Sequence, residues 1–286
     1  MKRVTDKGYW MDGFLKSHLD SMCHDIKEGF DFVVLVTGDG ETRGGKSTLS
    51  GQMAYYCAWK LGRPWGWDDA YNYVFSGAEL IKVALKSEPT CFIYDEALAE
   101  LNSRKANSLI QLNLTNFLSE CGKLNHILFI VLPNFFDLTK SIATVRSECL
   151  INVSLRKKEK KLMDQGKEET ILERKRGLFF FYAKTKKRYL YIKGKQFDDY
   201  NAIKSDFWGD FKDFWCVNRE AYERKKDEFL NRVRTPTKVN KYKLQRDALI
   251  RILYNKAGFS GPKISDLIKE EGHKLGIKQV YNVISP

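Results

Sequence analysis

A glycine-rich segment between an apolar run and a helix-like run carries the residues with the clearest chemistry. The segment TGDGETRGGKST spans residues 37–48 and follows the apolar run DFVVLV. Gly40, four intervening residues and then Gly45-Lys46-Ser47 form the spacing that is typical of a phosphate-binding loop. Glycines let backbone N–H groups close around an anion, and the N-terminus of the following helix adds its positive dipole.

Each residue of this loop has an expected role toward a nucleotide. Lys46 would reach the β- and γ-phosphates, and the Ser47 hydroxyl would ligate Mg²⁺. An ordinary glycine turn is the alternative, but the strand before the loop and the helix after it are the context that phosphate binding requires. The sequence therefore predicts ATP and Mg²⁺ as cofactors. Besides Lys46 and Ser47, the candidate nucleotide-binding residues are Gly40, Gly44, Gly45 and Thr48.

Two adjacent acids end a second apolar run, CFIYDEA, at residues 91–97. Carboxylates at the C-terminal end of a strand lie beside the phosphate loop in sheets of this kind. Asp95 would hold Mg²⁺ through water, and Glu96 would polarise the attacking water as a general base. Acids are also favoured at helix N-termini, which is the alternative. The second acid favours hydrolysis over simple retention of the nucleotide.

Short apolar runs alternate with helix-like segments along the first half of the chain. The runs DFVVLV, CFIYDEA, HILFIVLPN and CLINV predict buried strands, and residues 9–29 predict an amphipathic helix before the first of them. Residues 46–61 predict a helix that ends near Gly62, and residues 197–233 are predicted to be helical. Alternation of this type predicts an α/β fold with a central, mostly parallel sheet and helices on both faces.

Together these segments resemble a RecA-like P-loop ATPase of the additional-strand class. Within that class they are similar to the FtsK/HerA family of DNA-translocating ATPases and its relatives in viruses and plasmids. The resemblance covers roughly residues 30–153. It implies ATP hydrolysis and assembly of identical subunits into a hexameric ring that moves duplex DNA through a pore.

The resemblance also implies roles for two further polar residues. Asn134 ends the run ILFIVLPN, where such ATPases place a polar side chain toward the γ-phosphate or the attacking water; a turn Asn after Pro is the alternative. Arg146 precedes the last core strand, where related ATPases carry an arginine that reaches the γ-phosphate of a neighbouring subunit. A plain surface arginine is the alternative there.

The charge of the chain is unevenly distributed. Residues 1–150 carry 16 Lys/Arg and 18 Asp/Glu, whereas residues 151–286 carry 33 Lys/Arg and 18 Asp/Glu. A basic half joined to a nearly neutral half predicts a polyanionic partner, most often nucleic acid. A generally solvated basic surface is the alternative.

Two basic segments are candidate DNA contacts. LFFFYAKTKKRYLYIKG, at residues 178–194, predicts a hairpin of aromatic strands with a basic tip formed by Lys184, Lys186, Lys187 and Arg188. An aromatic strand pair is also a common element of a packed core. The last 45 or so residues resemble a helix-turn-helix unit whose third helix would present Lys278, Gln279 and Asn282 to a major groove. A protein-docking helical bundle is the alternative.

The chain lacks an apolar run of 18 residues, and its N-terminus lacks the apolar stretch of a secretory signal. We therefore expect no membrane span and a cytoplasmic location, in the host cytoplasm if the protein is viral. The six scattered cysteines predict reduced thiols rather than a metal site.

The sequence predicts a three-part chain. Residues 1–153 would form the ATPase core, 154–235 a basic extension with the hairpin and helices, and 236–286 the helix-turn-helix-like module. The leading hypothesis is an ATP-hydrolysing DNA motor, such as a translocase, helicase or packaging-type ATPase. The alternatives are a nucleotide-switched DNA-binding adaptor, such as a replication initiator or helicase loader, and an ATPase that acts on protein.

Overall fold

The computed structural model describes residues 2–38, 44–101, 109–164, 167–234, 241–271 and 275–284. The chain divides into two compact units, Met1–Lys226 and Asp227–Pro286. Residues 154–226, predicted as a separate extension, therefore lie in the same unit as the predicted ATPase core.

A seven-stranded sheet forms the centre of the first unit, next to a small antiparallel pair. The pair consists of β1 (Lys2–Val4) and β2 (Tyr9–Met11). The sheet has the order β4-β5-β6-β3-β7-β8-β9, parallel from β4 to β7 and antiparallel beyond. Its strands are β3 (Phe32–Gly38), β4 (Tyr73–Val74), β5 (Cys91–Tyr94), β6 (Ile127–Val131), β7 (Cys149–Asp164), β8 (Lys167–Tyr182) and β9 (Phe207–Asp210).

The order of the parallel strands has a direct consequence for the predicted site. β6 lies between β3, which leads into the phosphate loop, and β5, which leads into the acidic pair. A mostly parallel sheet with this strand order is compatible with the RecA-like fold that the sequence resemblance implies. Because parallel strands end at a common edge, the segments that follow β3, β5 and β6 meet there.

Seven helices of the first unit are described, and they pack on the sheet and around its edges. They are α1 (Gly13–Lys27), α2 (Lys46–Leu61), α3 (Gly77–Ala84), α4 (Leu98–Leu101), α5 (Leu109–Glu120), α6 (Lys184–Gly194) and α7 (Arg219–Arg234), the last continuing into the second unit. α2 ends as predicted at Gly62, which adopts the left-handed conformation.

The helix predicted over residues 9–29 is shorter than expected. α1 begins after Asp12, whose carboxylate accepts hydrogen bonds from the backbone N–H groups of Phe14 and Leu15. Residues 9–11 instead form β2. Trp10 is exposed because alternate side chains of β2 point to opposite faces, and Phe14 is exposed in the first turn of α1.

The aromatic hairpin predicted at residues 178–194 is wrong in its second half. Residues 178–182 are the end of β8, but residues 184–194 form α6. The buried positions of α6 are spaced three and four residues apart, which is helical periodicity. These buried residues are Lys187, Leu190, Tyr191 and Gly194.

A long antiparallel hairpin does exist, formed by β7 and β8. Its register runs from the pair Leu150 and Tyr182 to the pair Asp164 and Lys167. The sequence does not predict it, because residues 155–176 are charge-rich and lack the apolar alternation of a half-buried strand. β9 was also missed within a segment predicted to be helical.

After the end of α7, the second unit contains α8 (Lys241–Asn255), α9 (Gly261–Glu270) and α10 (Ile277–Ile284). A small core joins them, formed by Ile250, Ile264, Leu275, Val280 and Val283. Ile250 on α8 is buried, whereas Leu249 and Ile252 on the same helix are exposed. The helix-turn-helix interpretation stays a prediction. In the described part of the chain, no helix is both long and apolar enough to cross a bilayer.

Lys187 provides a test of the packing of α6. Its side chain is 0 % exposed, and its ammonium group donates to the carbonyl and hydroxyl oxygens of Ser147. Burial lowers the pKa of Lys187 to about 8, although Cys149 and Glu148 oppose the shift. The unfolded chain therefore binds more protons above pH 8, and stability should rise with pH there.

We expect the wild type to gain stability relative to Lys187→Met between pH 8 and pH 10, by at most about 1.4 kcal/mol per pH unit. Urea unfolding across that range measures the difference. Burial raises the pKa of the Cys149 thiol to about 12, which lowers stability as the pH rises above the ordinary thiol pKa, but both proteins contain Cys149, so its effect cancels in the comparison. Lys184→Met, on the exposed side of the same helix, is the control. Parallel stability curves for the wild type and Lys187→Met would show that the ammonium is not desolvated.

Candidate functional site

The end of β3 and the start of α2 flank the predicted phosphate loop. β3 ends at Gly38, and α2 begins at Lys46 with Gly45 as its N-cap residue. Gly45 has no side chain to cap this N-terminus, so the helix begins without a side-chain cap from its own N-cap residue. Residues 39–43 lie outside the described residues, and with them Gly40 of the predicted binding set.

Gly45 has a backbone conformation and a neighbour that both favour glycine. Its φ angle is +98°, and a Cβ atom there would lie 2.9 Å from the Phe211 ring. A cavity of about 230 Å³ opens beside Gly45 and Thr48. The other residues that line it are Lys175, Arg176, Gly177, Phe211, Lys212 and Asp213. Three cations thus surround the space that continues from the loop.

The Lys46 side chain folds back toward the end of β3. A Cβ atom at Gly38 would lie 3.1 Å from the Lys46 ammonium nitrogen. The ammonium group therefore lies at the point where the chain leaves the sheet and enters the phosphate loop.

Ser47 and Asp95 meet across the additional strand. The Ser47 hydroxyl donates to Asp95 Oδ2 at 2.7 Å, and Asp95 is only 3 % exposed. Its other oxygen, Oδ1, accepts from the Glu96 N–H at 3.0 Å. Both residues were predicted as Mg²⁺ ligands from separate segments of the sequence, and the fold places them in direct contact.

Glu96 lies in a strained turn directly after β5. Its φ angle is +60°, which is uncommon for a residue other than glycine. Its carboxylate forms an ion pair with Lys226 at 2.8 Å. The predicted base therefore has a cationic partner that the sequence did not indicate.

Asn134 is held close to the phosphate loop by Tyr200. The Tyr200 hydroxyl lies 2.9 Å from the Gly38 carbonyl oxygen and 3.2 Å from Asn134 Oδ1. The same hydroxyl accepts from the Phe135 N–H at 2.8 Å. One side chain thus connects the end of the Asn134 segment to the last residue before the loop. Tyr200 lies in the extension and carried no sequence signal.

Tyr222 is a second residue that sequence reasoning missed. Its hydroxyl donates to Asp95 Oδ2 at 2.7 Å, and its ring meets the edge of Tyr73 at 5.0 Å between centroids. Burial raises the pKa of Tyr222, and the Asp95 charge raises it further, so it remains a neutral donor. A separation of 127 residues from Asp95 leaves no local pattern that could predict the contact.

The remaining predicted site residues lie elsewhere. Arg146 is exposed at the end of a π-helical turn, Ile142–Arg146. Lys184 pairs with Glu148 at 2.8 Å, and Lys186 pairs with Asp206 at 3.0 Å. Arg188 is exposed on α6, and Lys278, Gln279 and Asn282 are exposed on α10. The prediction that Lys187 contacts DNA is wrong, because its ammonium group is buried against Ser147.

The donor set at Ser47 and Asp95 suits Mg²⁺. This cation prefers oxygen ligands and is commonly held by one or two carboxylates together with the phosphates of a substrate. The described residues contain no cluster of three or more His, Cys, Asp or Glu side chains that could hold a metal ion, so a cation here would need further ligands from a nucleotide or water.

No protein-family model and no curated protein sequence matches the chain. Among solved structures, the chain is similar to the N-terminal domain of zonular occludens toxin from Neisseria meningitidis, with a TM-score of 0.39 and 12 % sequence identity. The match covers 68 % of this chain and 98 % of that domain. Similarity at this level assigns no activity.

The contact between Gly45 and Phe211 leads to a stability prediction. Gly45→Ala should lower the free energy of unfolding by about 2–4 kcal/mol, because left-handed strain adds to overlap with the ring. Gly62→Ala, at the other end of α2, is the matched control. It also has positive φ, but within the part of the chain that the structure describes a Cβ atom there would meet no atom within 4 Å.

Gly62→Ala should therefore cost about 1 kcal/mol, which is the backbone term alone. Urea unfolding of the nucleotide-free proteins measures both values. Equal losses in the two variants would contradict the close approach of Phe211 to the loop.

Proposed function

We propose that this chain is a Mg²⁺-dependent ATPase that acts on DNA. The observation that carries the proposal is the 2.7 Å hydrogen bond between Ser47 and Asp95. Mg²⁺-nucleotide sites of this fold require two protein ligands. One is a serine at the start of the helix that follows the glycine loop, and the other is an acid at the end of a strand two places along the sheet from the strand before the loop.

The residues around this contact have complementary roles in the proposal. Lys46 and the N-terminus of α2 would bind the β- and γ-phosphate oxygens. Ser47 and Asp95 would hold Mg²⁺, which when bound neutralises charge that develops on the phosphates. Glu96 would accept a proton from the attacking water. Asn134, held by Tyr200, would orient that water or the γ-phosphate.

The cavity beside Thr48 suits the nucleoside end of the nucleotide. It begins at the first turn of α2, where the phosphates would end, and Lys175, Arg176 and Lys212 line it. Cations at this position would attract the α-phosphate and ribose oxygens. The β7–β8 hairpin would therefore contribute to nucleotide binding.

DNA is the proposed partner because the excess of Lys and Arg is concentrated in the second half of the sequence, and a basic region of this kind attracts the phosphates of a nucleic acid. Exposed Lys278, Gln279 and Asn282 on α10 would reach a major groove, and Arg188 would contact phosphates. In a motor, the chain would assemble into a ring in which exposed Arg146 acts on the nucleotide of a neighbouring copy.

Two substitutions separate binding from hydrolysis. Lys46→Ala should abolish ATP binding, because it removes the charge that faces the phosphates. Glu96→Gln should retain Mg²⁺-ATP binding and lose about 10²–10⁴-fold in turnover, since the amide cannot accept the proton. Calorimetric binding and phosphate release measure the two steps.

Lys60→Ala, at the last turn of α2, is the matched control for lysine loss on that helix. Its partner Asp20 lies on α1. Wild-type turnover in Glu96→Gln would contradict the assignment of the base.

DNA dependence tests the second part of the proposal. Duplex DNA should stimulate ATP hydrolysis in the wild type, because a motor hydrolyses ATP while it moves along its track. The triple variant Lys278→Ala, Gln279→Ala, Asn282→Ala should bind DNA more weakly, with a salt dependence reduced by about one counterion for the lost lysine. Lys82→Ala on α3 controls for charge loss. Equal turnover with and without DNA would contradict a motor.

A nucleotide-switched DNA adaptor is a second candidate. The Lys226 partner on Glu96 favours it, because a paired base implies slow basal turnover. Directional displacement of a DNA-bound roadblock distinguishes the two, since a motor displaces it and a switch does not.

An ATPase that acts on protein is favoured by the exposed apolar residues Leu249 and Ile252 on α8. That candidate predicts no binding of duplex DNA even at low salt.

A further inference from the structure

We propose that Tyr222 and Lys226 on α7 form a latch that holds Asp95 and Glu96 in a resting arrangement and gives way when Mg²⁺-nucleotide binds. The inference rests on the proposed function, because it concerns the same two acids. It adds a regulatory element from a part of the chain that the phosphate loop and the acidic pair do not include.

Tyr222 is the first contact of the latch. Asp95 Oδ2 accepts from both Ser47 and Tyr222 at 2.7 Å, and Oδ1 accepts from the Glu96 N–H. Both carboxylate oxygens therefore already have donors. Mg²⁺ or one of its water ligands needs acceptor capacity on Asp95, so the Tyr222 hydroxyl competes with it.

Lys226 is the second contact, one helical turn further along α7. Its ammonium nitrogen lies 2.8 Å from Glu96 Oε1. Burial on its own lowers the pKa of Lys226, but Asp95 and Glu96 outweigh that effect, and the pKa is raised. Lys226 is therefore a cation on the carboxylate that has to accept a proton from water.

The charges set the direction of the switch. Bound Mg²⁺ would place two positive charges beside Asp95, the same carboxylate that attracts the Lys226 ammonium. Two cations that share one acid repel each other, so bound Mg²⁺-nucleotide should weaken the ion pair between Lys226 and Glu96. Glu96 is then released to hold the attacking water.

Other contacts keep the start of α7 in place while the latch opens. The Asn218 side chain accepts from the Glu220 and Ala221 N–H groups and caps the helix. Lys225 donates to the carbonyl oxygens of Ala70 and Tyr73. Because these contacts do not involve the acids, they stay in place when Tyr222 and Lys226 leave Asp95 and Glu96.

Lysine labelling of the full chain tests the latch directly. The protein is acetylated briefly with and without Mg²⁺ and a non-hydrolysable ATP analogue, and modification at each lysine is quantified by mass spectrometry. Labelling of Lys226 should rise about two- to fivefold on loading, the change expected for loss of a partly exposed ion pair. Lys225, its neighbour on the helix, should not change.

Unchanged or reduced labelling of Lys226 in a sample that binds the analogue overturns the latch and leaves the proposed function intact. Failure of the same sample to bind the analogue, measured by calorimetry, overturns the proposed function and the latch with it.

Two variants provide an independent test. Lys226→Met keeps the aliphatic stem and should raise DNA-free hydrolysis about two- to fivefold. Tyr222→Phe keeps the ring contacts and should lower the Mg²⁺ concentration needed for analogue binding. Arg224→Met, at an exposed position of α7, is the matched control and should change neither value. Slower hydrolysis in Lys226→Met would mean that Lys226 assists the reaction, which overturns the latch.

Discussion

The contact between Ser47 and Asp95 is the constraint on which the rest of the site depends. It exists because β3, β6 and β5 are parallel neighbours whose carboxyl ends share one edge of the sheet. β6 lies between β3 and β5, yet the segments that follow β3 and β5 still meet at this edge. A helix that starts at Lys46 and a strand that ends at Tyr94 are therefore enough to bring a hydroxyl to a carboxylate.

A buried carboxylate must be hydrogen-bonded, and this requirement explains why the second half of the chain reaches the site. Asp95 is almost inaccessible to water and accepts hydrogen bonds from Ser47, Tyr222 and the Glu96 N–H. Tyr200 has a similar role at the end of β3, where it contacts Gly38 and Asn134. The extension thus supplies polar partners to both sides of the phosphate loop. It forms one compact unit with the core rather than a separate appendage.

The parts of the fold that follow local rules could be predicted from the sequence. Buried strands, the glycine loop and the end of α2 at Gly62 each have a signal within a few residues. The contacts of Tyr222 and Lys226 with the acids could not be predicted, because more than a hundred residues of sequence separate the partners and leave no local signal. The segment from Lys184 to Gly194 was misread because its aromatic residues suit a strand, while the positions that pack against the core have helical spacing. The burial of Lys187 could not be predicted either, because a lysine in a basic segment is expected to be exposed.

Mn²⁺ binding measured by electron paramagnetic resonance tests the central claim most directly, because it reports the metal site without requiring turnover. With a non-hydrolysable ATP analogue present, the wild type should bind one Mn²⁺ per chain, and Ser47→Ala and Asp95→Asn should each weaken binding by about tenfold or more. Ser50→Ala is the matched control, because its hydroxyl lies on the same helix and is buried without a hydrogen-bond partner among the described residues. It should bind Mn²⁺ as the wild type does. Equal Mn²⁺ affinity in all four proteins, or no nucleotide-dependent binding in the wild type, would contradict a metal-nucleotide site at Ser47 and Asp95.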